Sequence, residues 1–239
     1  MDDVSTLAAV CAGSDIVLSV CPPDAAAVVA GEVSETGFAG IFVDANAIAP
    51  STMVAVAEVA AAGGADVVDG GIVGPPAHQP GSTRLYLSGT RAAEVAEVFA
   101  GSNLEASVIG EELGTASALK MCYAAYTKGS AALLLSVAAL ARATRVESPL
   151  MAEWDLSQPG LRKRADGTAA GSAPKAWRWT GEMAEIATTF EQAGLPDGFH
   201  RAAGELFERL GRFRDGQADL DAVVEALLAD PGPVRPPGG

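Results

Sequence analysis

Residues 114–129 read GTASALKMCYAAYTKG. Small residues with Leu119, Met121 and Cys122 mark a packing helix, yet Lys120 sits inside it. Positions three and four apart share a helix face, so Ser117, Lys120, Tyr123 and Thr127 form one polar stripe on an otherwise apolar helix. An ammonium in such a stripe can bind a carboxylate. If burial lowers its pKa, it can also pass a proton to or from a hydroxyl or carbonyl oxygen. The same lysine could instead lay its stem along an exposed helix edge and keep its charge in water. The residues alone leave both readings open.

Other chemistry-bearing residues are sparse. Cys11, Cys21 and Cys122 are an odd set with no short repeated spacing, which fits neither a disulfide framework nor a zinc site. His78 and His200 are the only histidines, so no histidine-rich metal centre is available and no metal is expected. His78 lies in the loop GPPAHQPGS (74–82), which reads either as a lid over a substrate or as a rigid surface connection. His200 follows Asp197-Gly198 at a helix start, where exposure is expected. The net charge of −14 over 239 residues argues against nucleic acid and against an anionic membrane surface as partners. The acidic start MDDVSTLAAV lacks the basic region of a signal peptide. The most apolar run, residues 131–141, is too short to span a bilayer. These features together describe a soluble, cytoplasmic chain.

The elements that must position the lysine follow from periodicity. Short apolar runs at 15–20 (DIVLSV), 40–44 (GIFVD) and 65–69 (ADVVD) read as buried strands, and 83–88 (TRLYLS) alternates as a strand. Residues 106–109 add another short strand. Helices are predicted over 25–35 with Asp24 as cap, over 51–62 with Ser51 as cap, and over 92–100; residues 70–82 are predicted to be loop. Strands alternating with helices imply a largely parallel sheet. After Gly110 the pattern is helical: 114–145, 149–154, 174–193, 198–213 with Asp197 as cap, and 220–229 with Asp219 as cap. Residues 160–173 read as polar loop, and the segment from Asp230, DPGPVRPPGG, as a disordered tail. The fold class is therefore α/β followed by all-α: an incomplete Rossmann-like parallel-sheet domain over 1–112, a helical domain over 113–230, and a tail over 231–239. Lys120 falls in the first turns of the helix that joins the two, and a cleft between domains is a usual place for a ligand.

At this point the residues resemble a family. GTASALKMCYAA is similar to the lysine helix of the β-hydroxyacid dehydrogenases, relatives of 6-phosphogluconate dehydrogenase and the imine reductases. In that family the interdomain helix opens with a glycine, here Gly114, and bears the active-site lysine, here Lys120. Residues 15–23 resemble the family's fourth strand and the turn beside its cofactor. DANAIAP (44–50) resembles the strand and turn at the nicotinamide end, with Asn46 where a Thr or Ser is common. DGGIVG (69–74) is similar to the substrate-loop strand. APKAWRWTGEM and LPDGFHRAA resemble a subgroup with a phosphogluconate dehydrogenase-type C-terminal domain. The resemblance spans about residues 10 to 215. It implies NAD or NADP as cofactor, bordered by Val20, Cys21, Pro22 and Asn46. It implies Lys120 as proton-transfer residue, and Gly74, Ser117, Tyr123 and Thr127 as substrate contacts. It also implies a homodimer through the C-terminal helices.

Departures from the family's pattern shape the expectation. The G-x-G-x-x-G turn that holds a pyrophosphate at a helix N-terminus does not occur in the sequence. Roughly 60 residues, two βα units, would precede this chain in a full family member. The chain as written is therefore expected to be an inactive truncation of a hydride-transferring oxidoreductase acting on a small hydroxy acid, carbonyl or imine. The alternative is a non-catalytic helical dimerisation or small-molecule-binding protein derived from the family. Ala124 replaces an asparagine common four residues after the lysine. Val73-Gly74-Pro75 replaces Ser-Gly-Gly, and Gly181-Glu182 replaces a Lys-Asp pair. Three polar groups suited to a hydroxy-acid carboxylate are thus absent, and Tyr123, Thr127, Trp177, Trp179 and His200 are candidates for a more aromatic pocket.

Overall fold

A computed structural model describes residues 6–229; the expected tail lies outside the described residues. Five strands form one sheet: β1 (Ile16–Ser19), β2 (Ile41–Asp44), β3 (Asp66–Val73), β4 (Thr83–Ser88) and β5 (Leu104–Gly110). Their spatial order is β1-β2-β3-β4-β5. β1, β2 and β3 run parallel, as do β4 and β5, whereas β3 and β4 are antiparallel. Topology follows from connection length. A parallel crossover needs a dozen or more residues. The helices α2 (Ala26–Glu35), α3 (Pro50–Ala62) and α4 (Ala92–Val98) supply the three parallel crossovers, while 74–82 is long enough only for a hairpin. Ahead of the sheet, α1 (Leu7–Ala12) is capped by Thr6, whose side chain accepts from Ala9 N.

β2 is buried along its whole length, as expected for a strand covered on both faces. Phe42 packs with Val17, Val33, Met53 and Val56 from β1, α2 and α3. Ile41 and Val43 point the other way and pack with Val68, Leu85, Leu87 and Val95.

The predicted loop over 70–82 is shorter than expected, because β3 continues through Gly70-Gly71-Ile72-Val73. Pairing with Leu87 and Tyr86 of β4 carries the strand through its two glycines, beyond the end of its pairing with β2 at Asp69. The chain turns only at Gly74, whose φ of +127° suits glycine and where a Cβ would collide with the Ser82 carbonyl.

The rest is helical: α5 (Thr115–Ala143), α6 (Glu147–Ser157), α7 (Leu161–Ser172), α8 (Ala176–Gln192), α9 (Gly198–Arg209) and α10 (Leu220–Leu228). Residues 160–173, predicted as loop, are the helix α7. Ala165 and Ala169 lie four apart and fully buried, and with Leu161 packed against the same core they give the helix an apolar face although most of its other residues are polar. The chain divides into two compact units. One runs to Ala124 and includes Glu185–Pro196; the other comprises Ala125–Ala184 and the chain from Asp197. The first unit's core is the sheet with α1 to α4. In the second unit, Met151, Trp154 and Ala165 form a core with Leu134, Val137 and Leu220.

Two of the expected caps fall elsewhere, and a third is only half realised. α2 has Ala25 at its N-cap, Asp24 being taken into the short turn before it. α3 starts at Pro50 rather than at a Ser51 cap, with Ala49 as a cap that has no side-chain acceptor. Glu185, remote in sequence, supplies the acceptor: its Oε2 receives Ala49 N at 2.7 Å and the Thr52 hydroxyl at 2.8 Å. Gln192 Nε2 donates to the Ser51 hydroxyl at 2.5 Å. Asp197 does precede α9, but its carboxylate pairs with Arg201 instead of capping. Asp219 caps α10 through Ala222 N as expected. Glu185→Ala is expected to lower stability by about 1–2 kcal/mol and Ser51→Ala by about 0.5 kcal/mol or less, as read from urea unfolding followed by circular dichroism.

Candidate active site

A carboxylate buried within a strand must find hydrogen-bond donors or it destabilises the fold. Asp69 of β3 is fully buried and accepts four. Its Oδ2 receives Gly114 N at 2.9 Å, Ser117 N at 3.0 Å and the Ser88 hydroxyl at 3.0 Å. Its Oδ1 receives the Ser117 hydroxyl at 2.7 Å. The Ser88 oxygen in turn accepts Ala116 N at 3.1 Å. The first amides of a helix have no partner within it. At the start of α5, Thr115 N bonds the Glu112 carbonyl, while Ala116 and Ser117 are satisfied by side chains of β4 and β3. Ser88 lies where the β4–β5 register shifts.

The next residues of β3 continue the contact with α5. A Cβ on Gly71 would stand 2.8 Å from the Ala116 carbonyl oxygen and 3.2 Å from Lys120 Cβ, so glycine is what lets the helix lie this close. The Ile72 carbonyl then accepts a hydrogen bond from Lys120 Nζ at 2.5 Å. Lys120 is half-buried, and burial pushes its pKa below the usual lysine range. Its ammonium is thus partly withdrawn from water.

A second network lies at the carboxyl ends of β1 and β2. Asp44 stands beside Asp69 in the β2–β3 register. Its Oδ1 accepts Asn46 N at 3.0 Å and its Oδ2 accepts Asn46 Nδ2 at 2.7 Å. Asn46 Nδ2 also donates to the Ser19 hydroxyl at 3.2 Å, and its Oδ1 accepts Cys21 N at 2.5 Å. Burial raises the Asp44 pKa to about 6 against the pull of the Asn46 donors, with the Asp69 charge adding to the rise. Burial also pushes the Cys21 thiol up.

The predicted site residues separate into distinct roles. Lys120, Ser117 and the glycine-rich end of β3 come together, but the Ser117 hydroxyl is buried and bonded to Asp69, which removes it from the exposed stripe. Asn46 is buried and its amide is taken up by Cys21, Ser19 and Asp44, so it shapes the turn after β1. That turn presents Val20, 62% exposed, with exposed Pro22 and half-buried Cys21. Gly74 opens the 74–82 loop, on which His78 is exposed. Tyr123 is an exposed residue of α5, and Thr127 falls in the second unit.

Trp177, Trp179 and His200 also belong to the second unit. Trp179 meets Phe207 edge-on at 5.0 Å with Lys128 above its ring at 5.6 Å. Arg214 covers Trp177 at 3.9 Å. His200 is buried rather than exposed, because it shares the inner face of α9 with Ala203 and Phe207 at helical spacing. No group of three or more Asp, Glu, His and Cys suited to a metal occurs among the described residues.

Similarity to other proteins accords with this geometry. Residues 141–210 match the model of DUF1932, a domain of unknown function. A conserved hypothetical protein from Sinorhizobium meliloti 1021 is 27% identical, over 94% of this chain and 77% of that one, with a TM-score of 0.69. The conserved protein MTH1747 is of unknown function and is described as structurally similar to 3-hydroxyacid dehydrogenases. It is 26% identical over 87% of this chain and 79% of its own, with a TM-score of 0.62. A 3-hydroxyisobutyrate dehydrogenase from Mycobacterium tuberculosis, solved with L-serine, aligns with 95% of this chain and 84% of its own at a TM-score of 0.61 and 15% identity. The fold is that of the 3-hydroxyacid dehydrogenases. No curated protein matches. Within the 3-hydroxyacid dehydrogenase fold, the lysine helix and the glycine-rich strand are the elements that meet here.

Sequence reading passed over Asp44, Asp69, Ser19 and Ser88. The available signal was an acid closing each of two runs apolar enough to be buried on both sides, GIFVD and ADVVD. Asp44 holds its proton more tightly in the fold than in the unfolded chain. Its protonation therefore stabilises the native state below the ordinary aspartate value of 3.8, and that stability is lost as pH rises through about 6. Relative to Asp44→Asn, the wild-type protein is expected to lose about 2–3 kcal/mol between about pH 4 and pH 7, measured from denaturant midpoints across that range.

Proposed function

We propose that this chain serves an NAD(P)-dependent oxidoreductase acting on a small alcohol and its carbonyl, or an amine and its imine, with Lys120 as the proton-transfer residue. The observation that carries the reading is the half-buried Lys120 ammonium, held on the Ile72 carbonyl near the carboxyl end of β3. Ligands of open α/β sheets bind outside the carboxyl ends of their strands. The residues present fit the nicotinamide end of a dinucleotide: the turn after β1 exposes Val20 and Pro22 as an apolar surface, and Asn46 holds its backbone in place. Val20, Cys21 and Pro22 would border the ring. NAD or NADP would exchange hydride at its nicotinamide carbon.

The protein's own part is proton transfer. In reduction, hydride reaches the substrate carbon while the Lys120 ammonium gives a proton to the carbonyl oxygen or imine nitrogen. A hydroxyl or amine and a neutral lysine result; oxidation runs in reverse. A pKa lowered by burial brings the two forms of the lysine closer in energy, which suits both directions. Before transfer, the ammonium stabilises charge developing on the oxygen. Gly74 and Tyr123 are the substrate contacts proposed in the first unit. Val73 and Ala124 offer no polar group to a substrate carboxylate, which favours carbonyl or imine substrates over plain hydroxy acids.

We further propose a homodimer through the helical region. Tyr126, Leu133 and Leu140 are 74%, 51% and 61% exposed and lie seven residues apart on α5, the repeat that forms a helix–helix seam. A cytoplasmic setting belongs to the same reading, supported by Cys11, Cys21 and Cys122 all being free thiols.

In a form of the protein extended upstream to carry the phosphate-binding turn, Lys120→Ala is expected to keep the fold and to lower turnover with NADPH or NADH by at least about a hundredfold; unchanged turnover of a carbonyl or imine panel would rule out the assignment. The double variant Leu133→Glu, Leu140→Glu is expected to sediment as a monomer, and a variant still dimeric would place the interface elsewhere.

A further inference from the structure

We infer that Asp69 is the positioning residue of Lys120: by anchoring the first turn of α5 to β3, it sets where the ammonium sits and how far it is buried. The functional weight of this inference rests on Lys120 being the proton-transfer residue, but the coupling can be read from the lysine itself.

Three neighbouring residues of one strand grip one stretch of helix. Asp69 holds Gly114 and Ser117, Gly71 admits Ala116, and Ile72 receives Lys120. Gly114, Ser117 and Lys120 are spaced by three and share the helix face turned to β3. The Asp69 bonds to Gly114 N and Ser117 N fix the height of α5 above the strand. Those to Ser117 Oγ and, through Ser88, to Ala116 N fix its rotation. Lys120 reaches the Ile72 carbonyl only from that height and rotation. Without Asp69, the buried amides of Gly114 and Ser117 lose their acceptor, and the cheapest remedy is to move toward water. The lysine moves with them and its ammonium gains solvent.

The carboxylate acts here through its acceptors and not through its charge, and asparagine separates the two. In Asp69→Asn the amide oxygen can accept from Gly114 N, Ser117 N and the Ser88 hydroxyl. The amide nitrogen can donate to the Ser117 oxygen once that hydroxyl turns. Asp69→Ala keeps neither.

The chain contains four lysines, Lys120, Lys128, Lys163 and Lys175, so titration of isotope-labelled lysine by NMR resolves each, with Lys120→Arg assigning the signal. Wild type and Asp69→Asn are expected to titrate Lys120 at the same midpoint, below the ordinary lysine range. In Asp69→Ala the midpoint is expected to rise into the ordinary range. A wild-type midpoint for Lys120 in folded Asp69→Ala overturns the inference. If Asp69→Ala does not fold, Ser88→Ala takes its place, because it removes one Asp69 donor and the acceptor of Ala116 N. A rise in its Lys120 midpoint supports the inference, and none overturns it. Absence of turnover with any nicotinamide cofactor in the upstream-extended form would sink the proposed oxidoreductase while leaving the lysine titration to decide the role of Asp69.

Discussion

A helix that begins in a protein interior must find acceptors for its first amides, since water cannot reach them. α5 begins in this way, and its opening residue Gly114 and neighbours Ala116 and Ser117 are buried. Helices more often carry their own cap, a serine, threonine or aspartate just before the first turn. Here the residue in that place is Gly114, whose φ of +93° suits the bend into the helix but which has no side chain to accept with. The acceptors come instead from β3 and β4, through Asp69 and Ser88. The cap is therefore also the joint between sheet and helix.

From that joint the other features follow. Because the carboxylate sits under the helix start, the strand beyond it must pass beneath the helix, and only glycine at position 71 leaves room. Because the strand passes so close, its Ile72 carbonyl lies where a lysine one turn further along can reach it. A buried ammonium needs an acceptor as much as a buried carboxylate needs donors, and a main-chain carbonyl satisfies it without neutralising it. An ion pair would have stabilised the charged form and held the pKa high. The carbonyl leaves burial as the dominant influence, and the pKa falls.

Asp44 and Asp69 lie side by side on β2 and β3 and divide the work. Asp69 holds the lysine helix. Asp44 holds Asn46, and through it the turn that follows β1. Two like charges in adjacent buried positions oppose one another, and the rise in the Asp44 pKa is in part the expression of that opposition. The strain is tolerable because each carboxylate has its own donors. The result is that the apolar turn at Val20 and the ammonium at Lys120 are both positioned from the carboxyl end of the same sheet.

Much of this was legible in the residues. Alternation of apolar runs located the strands, and β4 matches its predicted range at both ends. The switch to helical periodicity after Gly110 marked the change from α/β to all-α. Lys120 stood out because an ammonium on a packing helix requires a reason. These features depend on local periodicity and on single residue types, which the chain carries position by position. What only tertiary structure decided is which groups meet. Asp69 and Ser117 are 48 residues apart, as are Lys120 and Ile72. Glu185 caps a helix 136 residues before it, where Ser51 looked the natural choice. Residues 160–173 look like loop until two buried alanines are seen to make them a helix. Hydrogen-bond partners of this kind are chosen by proximity in space, and proximity across such distances depends on how the whole sheet is ordered. The sequence by itself thus determined most of the elements and the place of Lys120 on a packing helix. The packing of α5 onto β3 decided that Lys120 is half-buried, that the Ile72 carbonyl holds it, and that the Ser117 hydroxyl is bonded to Asp69.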